Sequence, residues 1–417
     1  MNFIKTSFLS GISTAVSLLA RLISTKIVAV YLGTNGMFLL GQLKDFLRLG
    51  NTISSFGIET GIVKYVSEFE KKEKKLTGFI ATSFKINFIS ALFFSLIVFV
   101  FKNQIFDFLQ IDFNRNFYLI IIVLSITSAS ISTCLLSIYN GLNQIKLFVL
   151  VNIFSNILSA FILVIFVLQM KIIGAFYALA INQILSLIVN ILIFSVYKPF
   201  DIRWLFEKFI LENLKKLSNF SIMAIAGPIC LITSTFIVRN YIFNEFGSNY
   251  AGSWEAMWRI SAIYLLFLIT TFKFYIIPTF SKLNDYELKK EVFKIWRVVT
   301  PLIIIITSGV YLTKDIIINI LLSKEFILIN SIIFFHLLGD IIKINCMVLG
   351  NIMVSKADTK SFIFFQIEWS AIFVALTYLF IGKYGFVGVS IAYFITYIIH
   401  FSLLNLYFRK LLWISKD

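Results

Sequence analysis

Nine basic side chains lie inside long apolar stretches of this sequence: Arg21, Lys26, Lys44, Arg48, Lys85, Arg239, Arg259, Lys273 and Lys343. Their types suit the holding of an anion. Guanidinium groups donate paired hydrogen bonds to phosphate or carboxylate oxygens, and ammonium groups supply point charge. Five acids oppose them, Asp45, Glu59, Glu255, Asp340 and Glu368, so the excess within these stretches is positive. Lys44, Arg48, Thr52, Ser55 and Glu59 recur at three- and four-residue steps. Glu255, Arg259, Thr270 and Lys273 repeat the pattern, as do His336, Asp340 and Lys343, and Thr14, Ser17 and Arg21 keep the same register. On helices, such spacing puts each set on one face. An uncompensated charge at mid-bilayer costs about 2.5–3.5 kcal/mol on insertion scales, so these residues should meet a partner or a water-filled cavity. The expected binding set is therefore Arg21, Lys26, Lys44, Arg48, Arg239, Arg259, Lys273 and Lys343, forming a cationic cavity that concentrates an anionic substrate. Asp45, Glu255, Asp340 and His336 are the candidates for coupling to an ion. A structural reading stands beside this one. Lys26, Lys85 and Lys273 can snorkel from helix ends, Arg259 can simply neutralise Glu255 one turn away, and His336 can be a hydrogen-bonded core residue rather than a proton carrier.

Other chemistry finds little support. Cys134, Cys230 and Cys346 fall in apolar segments without metal-ligand spacing and read as packing residues, and the two histidines, His336 and His400, are too far apart in sequence for a metal centre. The chain has no Walker loop, nucleotide fingerprint or nucleophile elbow, so neither a cofactor nor an ATPase of its own is expected. A formal charge of +16 would suit nucleic acid only if it lay on one face of a soluble module, and no such module is present.

These residues must be positioned by membrane helices. Of 417 residues, 59% are hydrophobic and 14% charged, with mean hydropathy +0.91. A soluble chain is about half apolar and a quarter charged. Splitting the apolar runs at charged or turn-rich breaks predicts spans at 7–31, 36–66, 77–101, 117–140, 147–169 and 172–196, then 217–243, 250–277, 294–313, 328–354, 361–381 and 386–408. The second and eighth are only moderately hydrophobic. Pro228 and Pro301 fall within spans seven and nine, where they can kink the helix. With the N-terminus in the cytoplasm, 22 of the 37 basic residues fall in cytoplasmic segments and six on the other side. The positive-inside rule then places both termini in the cytoplasm.

The halves also echo each other, as in transporters built from repeats. Gly41–Arg48 resembles Gly252–Arg259 at an offset of 211 residues, Lys102–Ile105 resembles Lys314–Ile317 at 212, and Ile173-Gly-Ala175 resembles Val387-Gly-Val389 at 214. The predicted organisation is an N-terminal six-helix bundle over 1–197, a polar cytoplasmic linker over 198–216, and a C-terminal six-helix bundle over 217–417.

Several stretches carry a family resemblance: Leu32-Gly-Thr-Asn-Gly36, Gly57-Ile-Glu-Thr-Gly-Ile-Val-Lys-Tyr65, Ile277-Pro-Thr-Phe-Ser-Lys282, and Leu338-Gly-Asp-Ile-Ile-Lys343 followed by Lys356-Ala357. In order and over essentially the whole chain they resemble the Wzx flippases of the multidrug/oligosaccharidyl-lipid/polysaccharide exporter superfamily, nearest the O-antigen and enterobacterial common antigen type. The resemblance implies an all-α polytopic membrane protein of about twelve helices, with two six-helix bundles forming a V-shaped central cavity. It implies an undecaprenyl-pyrophosphate-linked oligosaccharide as substrate, carried from the cytoplasmic to the periplasmic leaflet of a bacterial inner membrane. Membrane lipids, a polysaccharide polymerase and a chain-length regulator are the partners it implies. A multidrug efflux pump of the same superfamily is the alternative, but it would want a carboxylate in its first span, which instead offers Arg21 and Lys26. A membrane-bound glycosyltransferase would need larger polar loops than this sequence contains.

Overall fold

The computed structural model describes the backbone of residues 3–414 and the side chains of residues 11–414 other than 219, 220, 267, 271, 273 and 274. Among the described residues the chain is helical almost throughout and contains no strand. In hydrocarbon no water satisfies a backbone N–H or C=O, whereas an α-helix satisfies its own. In chain order the helices are α1 (Phe3–Ser54), α2 (Glu59–Phe69), α3 (Glu73–Val100), α4 (Lys102–Phe108), α5 (Arg115–Gly141), α6 (Ile145–Tyr197) and α7 (Leu211–Phe246). They continue with α8 (Ser248–Thr271), α9 (Ile277–Phe280), α10 (Asp285–Leu312), α11 (Lys314–Leu321), α12 (Ile329–Ser355), α13 (Thr359–Tyr384) and α14 (Gly388–Tyr407).

Helices α1 and α6 have 52 and 53 residues, about 80 Å at 1.5 Å per residue, against a hydrocarbon thickness of roughly 30 Å. Each is broken by one residue off the helical conformation, Gly33 (φ 61°, ψ −159°) in α1 and Lys171 (φ 52°, ψ −128°) in α6. Gly385 (φ 61°, ψ −147°) makes the same break between α13 and α14. The apolar stretches Gly11–Phe69, Ile145–Tyr197 and Thr359–Tyr407 therefore each hold two crossings. Together with the other apolar helices and α8, whose 24 residues include Glu255 and Arg259, they give the all-α polytopic architecture of about twelve spans expected from the sequence.

The breaks mark the repeat. Gly33 and Gly247, both at positive φ, are 214 positions apart, and so are Lys171 and Gly385. Gly174 and Gly388 share that offset and one packing contact. A Cβ on Gly174 would stand 2.0 Å from the carbonyl oxygen of Phe166, and one on Gly388 would stand 2.2 Å from that of Phe380. The short helices α4 and α11 begin 212 positions apart. At the offset fixed by Gly33 and Gly247, Arg259 falls opposite Asp45. The match of Arg259 with Arg48 at 211 positions is thus three residues out of step with the structural landmarks.

The chain forms two compact units, the first containing Leu39–Ile229 and the chain up to Leu32, the second Gly33–Phe38 and the chain from Cys230 onward. In the first, Ile62, Val66, Phe79, Ile138, Tyr139, Val151 and Leu217 form a buried core. Its second crossing is interrupted after Ser54, where Phe56 and Gly57 take positive φ, before α2 resumes. The segment between α6 and α7 is tied down rather than loose. Asp201 accepts a hydrogen bond from the Arg203 amide (2.9 Å), Lys85 Nζ donates to the Glu207 carbonyl (2.6 Å), and the Ile210 amide donates to Thr82 Oγ1 (3.1 Å). Lys85 is in this way a structural anchor. In the second unit α12 packs on α14 and α10, α13 on α14, and α8 on α12. α8 passes into a π-helical turn, Phe272–Ile276, just before Pro278.

Alternating crossings make a topological prediction. Cysteine reporters near Lys72, Lys208 and Lys289 should react with a membrane-impermeant thiol reagent only from the cytoplasmic side, and those near Asn114 and Lys324 only from the outside. Two reversed loops would break the twelve-span tracing.

Candidate functional site

In the second unit one acid holds two guanidinium groups. Glu255 and Arg259 stand one turn apart on α8, and Arg239 comes from α7. Glu255 Oε2 accepts from Arg239 Nη2 at 2.7 Å and Glu255 Oε1 from Arg259 Nε at 3.0 Å. Their side chains are 8%, 3% and 14% exposed for Glu255, Arg239 and Arg259. One carboxylate against two guanidiniums leaves the trio one positive charge in excess. The Arg239 guanidinium also lies over the Trp254 ring, 5.8 Å from its centroid, a cation–π contact strengthened by desolvation.

One further layer joins α8, α12 and α14. Asp340, fully buried, accepts from the hydroxyl of Tyr264 and from that of Tyr393 at 2.8 Å. Lys343 Nζ lies 3.8 Å from Asp340 Oδ1 and donates to the Tyr393 hydroxyl at 3.2 Å. The ammonium sits over the Trp258 ring at 5.0 Å. His336 is also fully buried. It stacks flat on Tyr393, with centroids 4.4 Å apart and an interplanar angle of 6°, and stands nearly perpendicular to the Trp258 ring, with centroids 5.7 Å apart. Neither ring nitrogen has a hydrogen-bond partner among the described residues, and Nε2 stands 3.9 Å from Asp340 Oδ2. His336 is thus placed beside the carboxylate but is held by stacking rather than by a hydrogen bond.

The first unit carries a different arrangement. Arg21, Lys44 and Arg48 are exposed on its helices, and Lys26 and Asp45 are half-buried. Lys26, Lys44, Asp45 and Glu59 each engage another group. Arg21 and Arg48 make no ion pair among the described residues, and they lie close enough for their like charges to act on each other. The side chain of Lys273 lies outside the described residues.

Within each unit, then, the structure brings together Arg239 with Glu255 and Arg259, and His336 with Asp340 and Lys343, while Arg21 and Arg48 lie within electrostatic reach of each other. The sequence reading did not single out Tyr264, Tyr393 or Trp258, which hold Asp340 and Lys343. Spacing gave no signal for the two tyrosines: at about 100° per residue Tyr264 falls on the side of α8 opposite Glu255, and Tyr393 lies on a different helix. Among the described residues, no group of His, Cys, Asp or Glu has the arrangement of a metal site.

A model of the polysaccharide biosynthesis protein family matches residues 18–330. The lipid III flippase of Escherichia coli (strain K12) is 24% identical over 410 residues, 97% of each chain, and that of Shigella flexneri is equally similar. Among solved structures, an inward-facing multidrug resistance MATE family transporter of the MOP superfamily aligns with TM-score 0.76 at 12% identity over 95% of each chain. A MOP superfamily transporter from Pyrococcus furiosus, with a binding pocket of reverse polarity, aligns with TM-score 0.66 at 12% identity over 96% of each chain. At such identities these structures speak for the fold alone.

Proposed function

Because this chain belongs to the polysaccharide biosynthesis protein family, we propose that it is a flippase for lipid-linked oligosaccharide. The carrier would be undecaprenyl pyrophosphate, moved by alternating access of two six-helix bundles from the cytoplasmic to the periplasmic leaflet of a bacterial inner membrane. The observation that carries the reading is the excess of fixed positive charge on membrane helices: Arg21 with Arg48 in the first unit, and the trio around Glu255 in the second. A pyrophosphate offers the opposite charge in a shape that guanidinium forks match. The similarity to lipid III flippases over 97% of the chain supports the same substrate class. The basic residues of the cytoplasmic loops support both termini being cytoplasmic. A polymerase and a chain-length regulator are the partners such a carrier would hand its product to.

The energy source in this reading is an ion gradient or the membrane potential, worth about 2.3 kcal/mol per charge per 100 mV. Asp340 is the coupling group, held by two tyrosine hydroxyls and an ammonium. Glu255, Asp45 and His336 are further candidates. The efflux reading draws on the likeness to multidrug transporters; against it stand the basic residues of the first span.

The test is a vesicle assay that follows export of undecaprenyl-pyrophosphate oligosaccharide, with an organic cation as competitor cargo. Accumulation of the cation without movement of the lipid-linked sugar would replace the flippase reading with the efflux one. In the same assay Asp340→Asn should keep the protein in the membrane while removing the response to an imposed pH gradient, because the amide cannot titrate. An unchanged response would take Asp340 out of the mechanism.

A further inference from the structure

A buried acid–base pair lies outside the clusters described above. Glu368 on α13 and His400 on α14 meet with Oε2 and Nδ1 2.6 Å apart, and their side chains are only 9% and 11% exposed. At that distance a proton must lie between the two atoms, because a carboxylate oxygen and an imidazole lone pair facing each other would repel. The pair therefore holds one proton whichever partner carries it. An independent feature bears on a second proton. Glu368 Oε1 is buried with no hydrogen-bond partner among the described residues, so the carboxyl keeps a second oxygen at which a proton can be held.

The surroundings add no ion pair that would fix the charge. From α12 the pair is faced by Cys346, whose thiol donates to the Tyr397 carbonyl at 3.9 Å, and from its own layer by Phe365 of α13 and Tyr397 of α14. α7 meets α13 through the Cys230 carbonyl, which accepts from the Ser370 hydroxyl at 3.1 Å. Among the described residues no Lys or Arg makes an ion pair with either partner. Tyr393, Tyr397 and His400 follow one another on one face of α14, with ring centroids 4.9 Å and 6.4 Å apart. At its far end that row reaches Asp340, with Lys343 beside it, through the Tyr393 hydroxyl.

We propose that Glu368 and His400 form a proton-binding site of the second unit, in which the carboxyl takes up a second proton while the imidazole keeps the first. Uptake turns a carboxylate–imidazolium pair into a carboxylic acid beside an imidazolium, raising the local charge by one. Release reverses it, and nothing is oxidised or reduced. That this proton is one the gradient drives rests on the transport reading above; the binding itself does not.

The test uses the full chain in lipid nanodiscs, with protons as the ligand. Proton uptake after a pH drop is read with an indicator dye, and protonated carboxyl groups by infrared difference spectroscopy. Glu368→Gln should lower uptake by about one proton per chain and remove one carboxylic C=O band. Asp340→Asn should leave that band in place, and His400→Gln should move the pH at which it appears. Folded yield is checked by size exclusion, and His400→Gln serves alone if the Glu368 variant does not fold. An unchanged band and unchanged uptake in folded Glu368→Gln overturn the site. So does a variant that loses only thermal stability, since the pair is then a clip between α13 and α14. A chain that binds the proton at this pair yet moves no lipid-linked oligosaccharide would count against the function and leave the site standing.

Discussion

Replacing Arg21 and Arg48 together with alanine is expected to abolish transport of lipid-linked oligosaccharide while leaving the first unit folded. The two guanidiniums act on each other as like charges and make no ion pair among the described residues. Neither the core around Ile62, Phe79 and Tyr139 nor the tied linker depends on them. Holding both at membrane depth is costly by about 2.5–3.5 kcal/mol each on insertion scales. One dianionic headgroup between them would offset that cost and their mutual repulsion. Each single alanine variant should lose about 1.5–3 kcal/mol of charge-assisted binding, or roughly 10- to 150-fold in apparent affinity. Lysine at either position should restore only part, because a point charge keeps the attraction and loses the two-pronged geometry. The readout is vesicle transport normalised to folded protein. Full transport by the double alanine variant would sink the anion clamp.

How far the sequence led can be seen at particular residues. The breaks at Gly33, Lys171 and Gly385 were legible because short polar or turn-forming stretches separate the apolar runs there. The interruption after Ser54 falls inside the single span expected at 36–66, although Ser54, Ser55 and Gly57 are turn-forming residues; the positive φ of Phe56 and Gly57 ends the helix there. The contact of Glu255 with Arg259 could be read from their four-residue spacing. The stronger partner, Arg239, could not, because it arrives from α7 and no periodicity links residues on different helices. Asp340 shows the same limit: its hydroxyl partners lie 76 and 53 positions away, and a tyrosine in an apolar helix looks like core until its hydroxyl is seen to have a partner. Charge excess was legible as composition. The division into a pair of arginines without an ion pair in one unit and a trio sharing one carboxylate in the other was not, because it depends on which helices pack together.

The Glu255 trio leads to the second large effect, this time on stability. Glu255→Gln keeps the size of the side chain but takes the carboxylate from Arg239 and Arg259 together, so both guanidiniums lose the partner that now holds them at 2.7 and 3.0 Å. Breaking a buried pair by removing one member costs about 3–5 kcal/mol, mostly through the charge left behind. The variant should therefore lose most of its folded yield and melt well below the wild type when followed by fluorescence-detected size exclusion. Arg259→Ala should be far milder, because the pair between Arg239 and Glu255 survives and Arg259 is the most exposed of the three. Its loss should show in transport instead, since it removes the positive excess of the trio. Combining Glu255→Gln with Arg259→Ala separates two accounts of the cluster. If Arg259 were present only to neutralise Glu255, the double variant would regain both folding and transport. With Arg239 also bound to Glu255, the double variant should stay unstable, and recovery should require Arg239 to be replaced as well by an apolar side chain of similar length such as methionine. A wild-type melting profile for Glu255→Gln would show that the trio does not hold α7 to α8.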